Sequence, residues 1–317
     1  MIDDFIAKLR IPAIAAPMFL VSGPDLVVSA CAAGIVGSFP VPNCRTIADV
    51  ELWMSDISAR LAKVSDDNPG QMVGPWAANM VTHRSNARLA EELELLAQFQ
   101  PPIVITALGS PRPVIDVVKG YGGLVFADVI NLHLARKAVE AGVDGLICVS
   151  AGAGGHTGYL SPFAFVSAVR EMFDGIVVVG GGISDGAGIA GAIAAGADLA
   201  YLGTRFLATH ESMASDAYRQ MIVDHGPDDL IVSDAITGTP ASWLRPSLVA
   251  CGLDPDRLEK APPERNYTSG ESSQKRWKDV WAAGQGLQAI RSVEPVADVV
   301  DELAVQYRAA RHRFEQL

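Results

Sequence analysis

A glycine-flanked histidine is the residue of this chain whose neighbours best suit it to move a proton. His156 lies in the stretch AGAGGHTG at 151–158, just past the apolar run 146–149. A lone histidine is more often structural than catalytic. Here no bulky residue follows until Tyr159, so the backbone can pack against a flat ligand while the ring projects beyond the run. An imidazole with an ordinary pKa of about 6.5 suits proton transfer at neutral pH. His83, His133, His210, His225 and His312 sit on or near predicted helices and read as surface or hydrogen-bonded residues.

Two later apolar runs end in gaps of phosphate size. The run 176–179 leads into Gly180-Gly181-Gly182, and the run 199–202 into Gly203-Thr204-Arg205. Backbone N–H groups without side chains can approach phosphate oxygens, and a following helix N-terminus adds partial positive charge. Either glycine run alone reads equally well as a tight turn; their occurrence in adjacent late units points to phosphate. Arg205 either adds charge there or lies on the surface. Asn79, at the end of another apolar run, has amide groups able to pair with a heterocycle edge, or serves in a turn. Pro17-Met18 closes the first run, where a backbone N–H can meet the same ring, with Met18 alternatively in the core. The spacing G-x-G-x-x-G does not occur cleanly after the first run, which disfavours a dinucleotide fold.

Eight strand-helix units can position these groups. Strands are predicted at 13–16, 34–39, 72–78, 103–107, 124–129, 146–149, 176–179 and 199–202. Helices are predicted from Pro24-Asp25, at 47–64, 85–99, 113–119, 132–141, 162–173 and 186–195, and briefly from Arg205. The runs are continuously apolar rather than alternating, as for parallel strands covered on both faces. Glycines in EAGVDG and AAGADL fall just past helix ends, where a left-handed residue is wanted. The expected fold is α/β, a TIM (β/α)8 barrel, with an open doubly wound sheet as competitor. In a barrel, the loops after the seventh and eighth strands are the recurrent phosphate site.

After residue 209 the rhythm breaks. A helix is predicted at 211–225 and irregular chain at 228–245. The polar stretch 259–274, with Pro262-Pro263, reads as a surface excursion, and a long helix follows at 296–314. The expectation is a barrel over 1–209, a smaller inserted helical and irregular substrate region or lid over 210–286, and a C-terminal helix over 287–317 that packs back on the barrel.

Composition narrows the function. Hydrophobic residues make up 49% of the chain, enough for a large core rather than disorder. A net charge of -11 argues against nucleic acid or an anionic membrane as partner. No apolar run is long enough to span a bilayer, and the start MIDDFIAKLR lacks an apolar signal core. Cys31, Cys44, Cys148 and Cys251 show no metal-ligand spacing, so free thiols in a reducing cytoplasm are expected, without a metal.

The chain resembles the nitronate monooxygenase family, formerly called 2-nitropropane dioxygenases. The matching pieces are AAPM at 15–18, AAGIVGS at 32–38, AGGHTG at 153–158, GGI at 181–183, LGTRF at 202–206 and WAAGQG at 281–286. The resemblance implies a TIM barrel with an added small domain and bound flavin mononucleotide (FMN). It places Pro17, Met18, Asn79, Gly154, Gly155 and His156 at the flavin ring, with His156 as the acid/base. It gives Gly181, Gly182, Gly203 and Thr204 to the phosphate, and has Gln285 closing over the flavin. The implied partners are a nitronate or related carbon acid and dioxygen, with NAD(P)H and a homodimer left open. The chain departs from the family pattern at Gly152, where an acidic residue is common, and at Ala282, where serine is common. After the fifth strand a lysine is common, and here 124–129 offers only Asp128. Enoyl-acyl carrier protein reductases and NADH:quinone reductases share the histidine loop and stand as alternatives. So do a flavin-free phosphate-binding isomerase or synthase and an inactive flavin-binding barrel.

Overall fold

The computed structural model describes residues 5–258 and 278–316. Its centre is a closed barrel of parallel strands: β1 (Ala13–Ala15), β2 (Val36–Pro40), β3 (Trp76–Val81), β4 (Ile103–Ala107), β5 (Leu124–Val129), β6 (Gly145–Val149), β8 (Ile176–Gly180) and β9 (Leu199–Leu202). The ring closes where β1 pairs with β9, Ile14 opposite Tyr201. This is the TIM barrel, and the open sheet is excluded.

Strand side chains alternate between two faces, and both faces are apolar here for different reasons. Ile14, Val36, Ala77, Ile105, Phe126, Ile147, Val178 and Leu199 form one buried cluster, the barrel interior. Val104, Val125, Leu146, Cys148, Val177 and Val179 belong to a second, packed with residues of the outer helices. The outer helices α1 (Pro24–Ala32), α2 (Ile47–Asp67), α3 (Leu89–Phe99), α4 (Arg112–Gly120), α5 (Leu132–Ala141), α6 (Pro162–Arg170) and α7 (Gly186–Ala194) follow their strands in order. Gly142 ends α5 in the left-handed conformation, as its position in the sequence predicts.

The third strand departs from its predicted span. It starts at Trp76 and runs to Val81, so Asn79 lies within it rather than at its end. Residues 72–75 contain Gly74-Pro75, and proline has no N–H for a ladder. The helix predicted at 85–99 starts at Leu89, because 82–88 turn back over the strand end. The second strand starts two residues late, after Gly34 at φ +90°.

Beyond β9 come the one-turn helix α8 (Thr204–Leu207) and α9 (Asp216–Asp224), the latter shorter than predicted and capped by the Ser215 side chain. The stretch read as irregular, 228–245, contains two strands, β10 (Leu230–Ser233) and β11 (Ala241–Leu244), and leads into α10 (Arg245–Ala250). These strands pair antiparallel, and β11 also pairs with the short β7 (Gly155–His156). The stretch 259–274 lies outside the described residues. The last helix, α11 (Val296–Glu315), packs Val296, Val299, Val300, Leu303 and Ala304 with Leu26, Ala30 and Ile189, on the side of the barrel between α1 and α7. No described helix is long and apolar enough to cross a membrane.

Candidate active site

A cavity of about 2040 Å³ opens over the C-terminal ends of the strands. Pro17, Met18, Asn79, Gly154, Gly155, His156, Gly181, Gly182, Gly203 and Thr204 all line it. Strand register explains its floor. The inward positions Ala77, Phe126, Ile147 and Leu199 step forward by two residues to Asn79, Asp128, Val149 and Tyr201, and all four line the cavity.

His156 is not carried by a free loop. Its strand pairs with β11, with Ala241 opposite His156 and Ser242 opposite Gly155, and Thr157 N–H donates to Pro240 O at 3.1 Å. The imidazole is therefore positioned by chain some eighty residues downstream, which the reading of 228–245 as irregular missed. The β-branched run in LIVS, bounded by Asp228-Asp229 and Asp234, was the available signal. Burial lowers the pKa of His156 below its ordinary value, because the charged ring loses water. The neutral form, a proton acceptor, prevails at neutral pH.

The loop 281–286 docks onto two strand ends, those of β6 and β9. Gln285 N–H donates to Gly152 O at 2.9 Å, and Gly284 N–H donates to Thr204 Oγ1 at 2.9 Å. Tyr218 fixes the loop from outside: its hydroxyl donates to Ala282 O and accepts from Ala282 N–H, and its ring stacks on Trp281 with centroids 4.9 Å apart. The side chain of Gln285 is placed otherwise than the resemblance implies. The residue is exposed, packs beside Gly152 and Gly182, and does not line the cavity; its neighbours Gly284 and Gly286 do.

The departure at Gly152 has a structural cause. Its φ is +89°, and a Cβ there would lie 2.8 Å from Gln285 Oε1. Gly152→Asp should therefore cost about 1–3 kcal/mol in backbone strain and contact. Gly152→Asn should cost less, since asparagine tolerates the left-handed region better. Calorimetric melting of the two variants checks this, and an aspartate variant as stable as the parent contradicts it.

The phosphate side is built differently from the expectation. The N-terminus of α7 is satisfied by protein groups: Asp185 Oδ1 accepts from Gly188 N–H, and Gln306 Oε1 accepts from Gly186 N–H. Gly182 N–H donates to Gly152 O at 3.1 Å. That helix end is therefore capped within the protein at Gly186 and Gly188. What remains is space. A Cβ on Gly203 would come no closer than 3.6 Å to its nearest neighbour, Met18 Sδ, and one on Gly182 would meet only Gln285 Cβ, at 3.7 Å. Both glycines line the cavity with room before them, a cradle that side chains would fill. Arg205 is neither a phosphate ligand nor a surface residue: it is 2% exposed and ion-paired with Glu294 and Glu302.

On the ring side, Met18 N–H donates to Ser22 Oγ at 2.9 Å, so it is not the free donor predicted. The Met18 side chain does both things considered for it, lining the cavity and packing against buried residues. Asn79 Nδ2 donates to Ile105 O at 3.3 Å and lies 3.5 Å from Asp128 Oδ2. Asp128 Oδ1 is buried with no hydrogen-bond partner among the described residues, and burial pushes the carboxyl up to about 7. Sequence reading also missed His83, which lines the cavity with Nδ1 2.8 Å from Ser85 Oγ, and Tyr201. Tyr201 was legible in principle, two residues past an inward Leu199. His83 was not, because it falls between the predicted strand 72–78 and the predicted helix 85–99 and reads there as a surface residue.

The family model described as nitronate monooxygenase matches residues 4–306. A nitronate monooxygenase of Paraburkholderia phytofirmans is 28% identical, over 96% of this chain and 94% of that protein. Among solved structures, FabK from Thermotoga maritima superposes with a TM-score of 0.79 at 22% identity, covering 99% of this chain and 98% of that one. A nitroalkane oxidase from Streptomyces ansochromogenes gives 0.79 at 24%, covering 98% and 99%. At these identities the two superpositions speak for the fold.

Proposed function

The chain belongs to the nitronate monooxygenase family and is an oxidoreductase; from that premise we propose that it uses FMN to oxidise a nitronate, or a related carbon acid, with dioxygen. The observation that carries the reading is the convergence of His156 with the cradle formed by Gly182 and Gly203 in one cavity at the barrel's C-terminal end. Bound flavin would supply the electron acceptor for a carbanion-like substrate and the site of reaction with dioxygen.

The chain's own residues do the rest. Gly181, Gly182, Gly203 and Thr204 border the space for a phosphate. Pro17, Met18, Asn79, Gly154 and Gly155 border the space for a ring, and Gly284 and Gly286 close its far side. His156, neutral and held by β11, accepts a proton from the carbon of a neutral nitroalkane; a preformed nitronate needs no such step. The described residues 210–258 and 278–286 act as the substrate wall, since their strand β11 sets the position of the histidine.

The size of the cavity favours one second reading. Ligand pockets commonly measure about 300–1,000 Å³, and a cavity of about 2040 Å³ has room for a bulkier substrate beside the cofactor. An NAD(P)H-dependent reduction of a bulkier substrate, an enoyl thioester or a quinone, fits that space. Anaerobic mixing separates the two. Bleaching of flavin absorbance by a nitronate and not by NADH or NADPH is the expected result, and rapid bleaching by a nicotinamide alone replaces the first reading with the second.

Heat-released supernatant should fluoresce as the mononucleotide; no flavin, or only the dinucleotide, contradicts the assignment. Gly203→Val should weaken flavin retention at least about tenfold, a loss of 1.4 kcal/mol or more. The φ of Gly203 is -97°, outside the left-handed region that favours glycine, so the main effect is the filled space. Equilibrium dialysis of the variant with added FMN measures it, and unchanged affinity removes Gly203 from the phosphate site.

A further inference from the structure

We propose that Asp128 takes up a proton when negative charge forms in the barrel mouth, and so ties events in the mouth to pH. The inference rests on the flavin reading above and concerns a residue that reading does not use.

The position of the carboxyl carries the argument. Asp128 sits at the mouth end of β5, in the inward register two residues past Phe126, and lines the cavity. Oδ1 is buried without a hydrogen-bond partner among the described residues, and Oδ2 has only Asn79 Nδ2, at 3.5 Å. No ion pair to Asp128 occurs among the described residues. A carboxylate held this way has lost water and gained little in return, so the protonated form is favoured. Its pKa of about 7 leaves it close to half protonated at neutral pH, able to respond to a nearby charge.

The strands beside Asp128 present few other groups that could respond. Adjacent β4 presents Ala107 and adjacent β6 presents Val149, neither titratable, and β3 presents Asn79. Across the barrel, β9 presents Tyr201, whose phenol is held neutral by burial and by Asp128 itself. The same cavity is also lined by His83, Lys137, Arg45, Arg112, Glu140, Lys278 and the ion-paired Arg88 and Glu92, and by His156, which is held neutral by burial.

Linkage then sets the sign. A negative charge arriving in the mouth raises the Asp128 pKa further, and the carboxylate fraction binds a proton from solvent. Reciprocally, protonated Asp128 makes that negative charge easier to form. Two-electron reduction of bound flavin by dithionite would place one proton on the ring and leave one negative charge in the mouth. At pH above the resting pKa of Asp128, the carboxylate binds a second proton from solvent. The count is two electrons with two protons, rather than two with one.

Two measurements test this on the whole chain. The first is an infrared titration of the wild type against Asp128→Asn, and against Asp128→Ala should the first variant fold poorly. A protonated-carboxyl band that titrates near neutral pH in the wild type and vanishes in the variant is expected. Its absence above pH 5 overturns the proposal whether or not flavin binds. The second is the flavin midpoint potential as a function of pH. Between pH 7 and pH 9 the wild type should show more than one proton per electron pair. Asp128→Asn should fall to one, and His83→Gln should keep the wild-type slope. Equal slopes in wild type and Asp128→Asn overturn the coupling. A wild type that keeps the infrared band but binds no flavin overturns the functional reading instead, together with the coupling but not the protonated carboxyl.

Discussion

His156→Ala is expected to leave the chain folded and able to hold flavin while turnover of a neutral nitroalkane falls about 10²- to 10⁴-fold, the usual contribution of a positioned acid or base. The physical reason is the position of the ring. β11 holds His156 at the cavity, and burial lowers its pKa, so that it stands ready as an acceptor. With a preformed nitronate the proton is already gone, and the loss should be smaller. The pH profile follows from the same shift. The base works while imidazole is neutral, so kcat/KM for a nitroalkane that stays protonated should be level near neutral pH. It should fall as pH drops below the ordinary histidine range of about 6.5. The residual activity of the variant should lack that acid limb. Steady-state turnover of both substrate forms, with flavin content measured alongside, decides the matter. A loss of only a few-fold on both, with flavin retained, makes His156 a structural residue of the β7–β11 pairing.

Gly186→Val should cost about 3 kcal/mol or more and detach the last helix from the barrel. A Cβ on Gly186 would lie 2.2 Å from Tyr307 N and 2.3 Å from Leu303 O. Both are backbone atoms of α11, so no rotamer change relieves the contact. Overpacking typically costs about 1–3 kcal/mol. Here the only relief is to move α11, which also exposes Val299, Val300 and Leu303, each contributing about 1.5–3 kcal/mol by burial. A Cβ on Gly191, in the same helix, would meet nothing within 4 Å. Gly191→Ala should therefore be neutral or stabilise by up to about 1 kcal/mol, alanine being the better helix former. Urea denaturation of both variants provides the comparison; a valine variant as stable as the alanine one shows that α11 is not held through Gly186.

Local sequence determined the units of this protein. Runs such as IVITA, LVFADV and LAYL were legible as strands because a buried parallel strand must be apolar on both faces. Helix ends were legible where capping glycine or proline marks them. The candidate site residues were legible wherever the chemistry belongs to a strand end, as with His156, Gly182 and Gly203, because in a barrel every strand end faces the same mouth.

Tertiary structure decided which polar groups are still available there. Met18 N–H is taken by Ser22, Gly182 N–H by Gly152, and the α7 N-terminus by Asp185 and Gln306. Gln306 is more than a hundred residues from the glycine it caps, so no local pattern announces it. Arg205 turns to Glu294 and Glu302 for the same reason. Asp128 shows the difference most plainly. In the sequence it is one acidic residue at the end of an apolar run, where a solvated carboxylate is the ordinary reading. Only the closed barrel sets it inward beside Asn79 and Tyr201 with one oxygen unpartnered among the described residues, because burial and hydrogen bonding depend on neighbours from other strands and not on spacing along the chain.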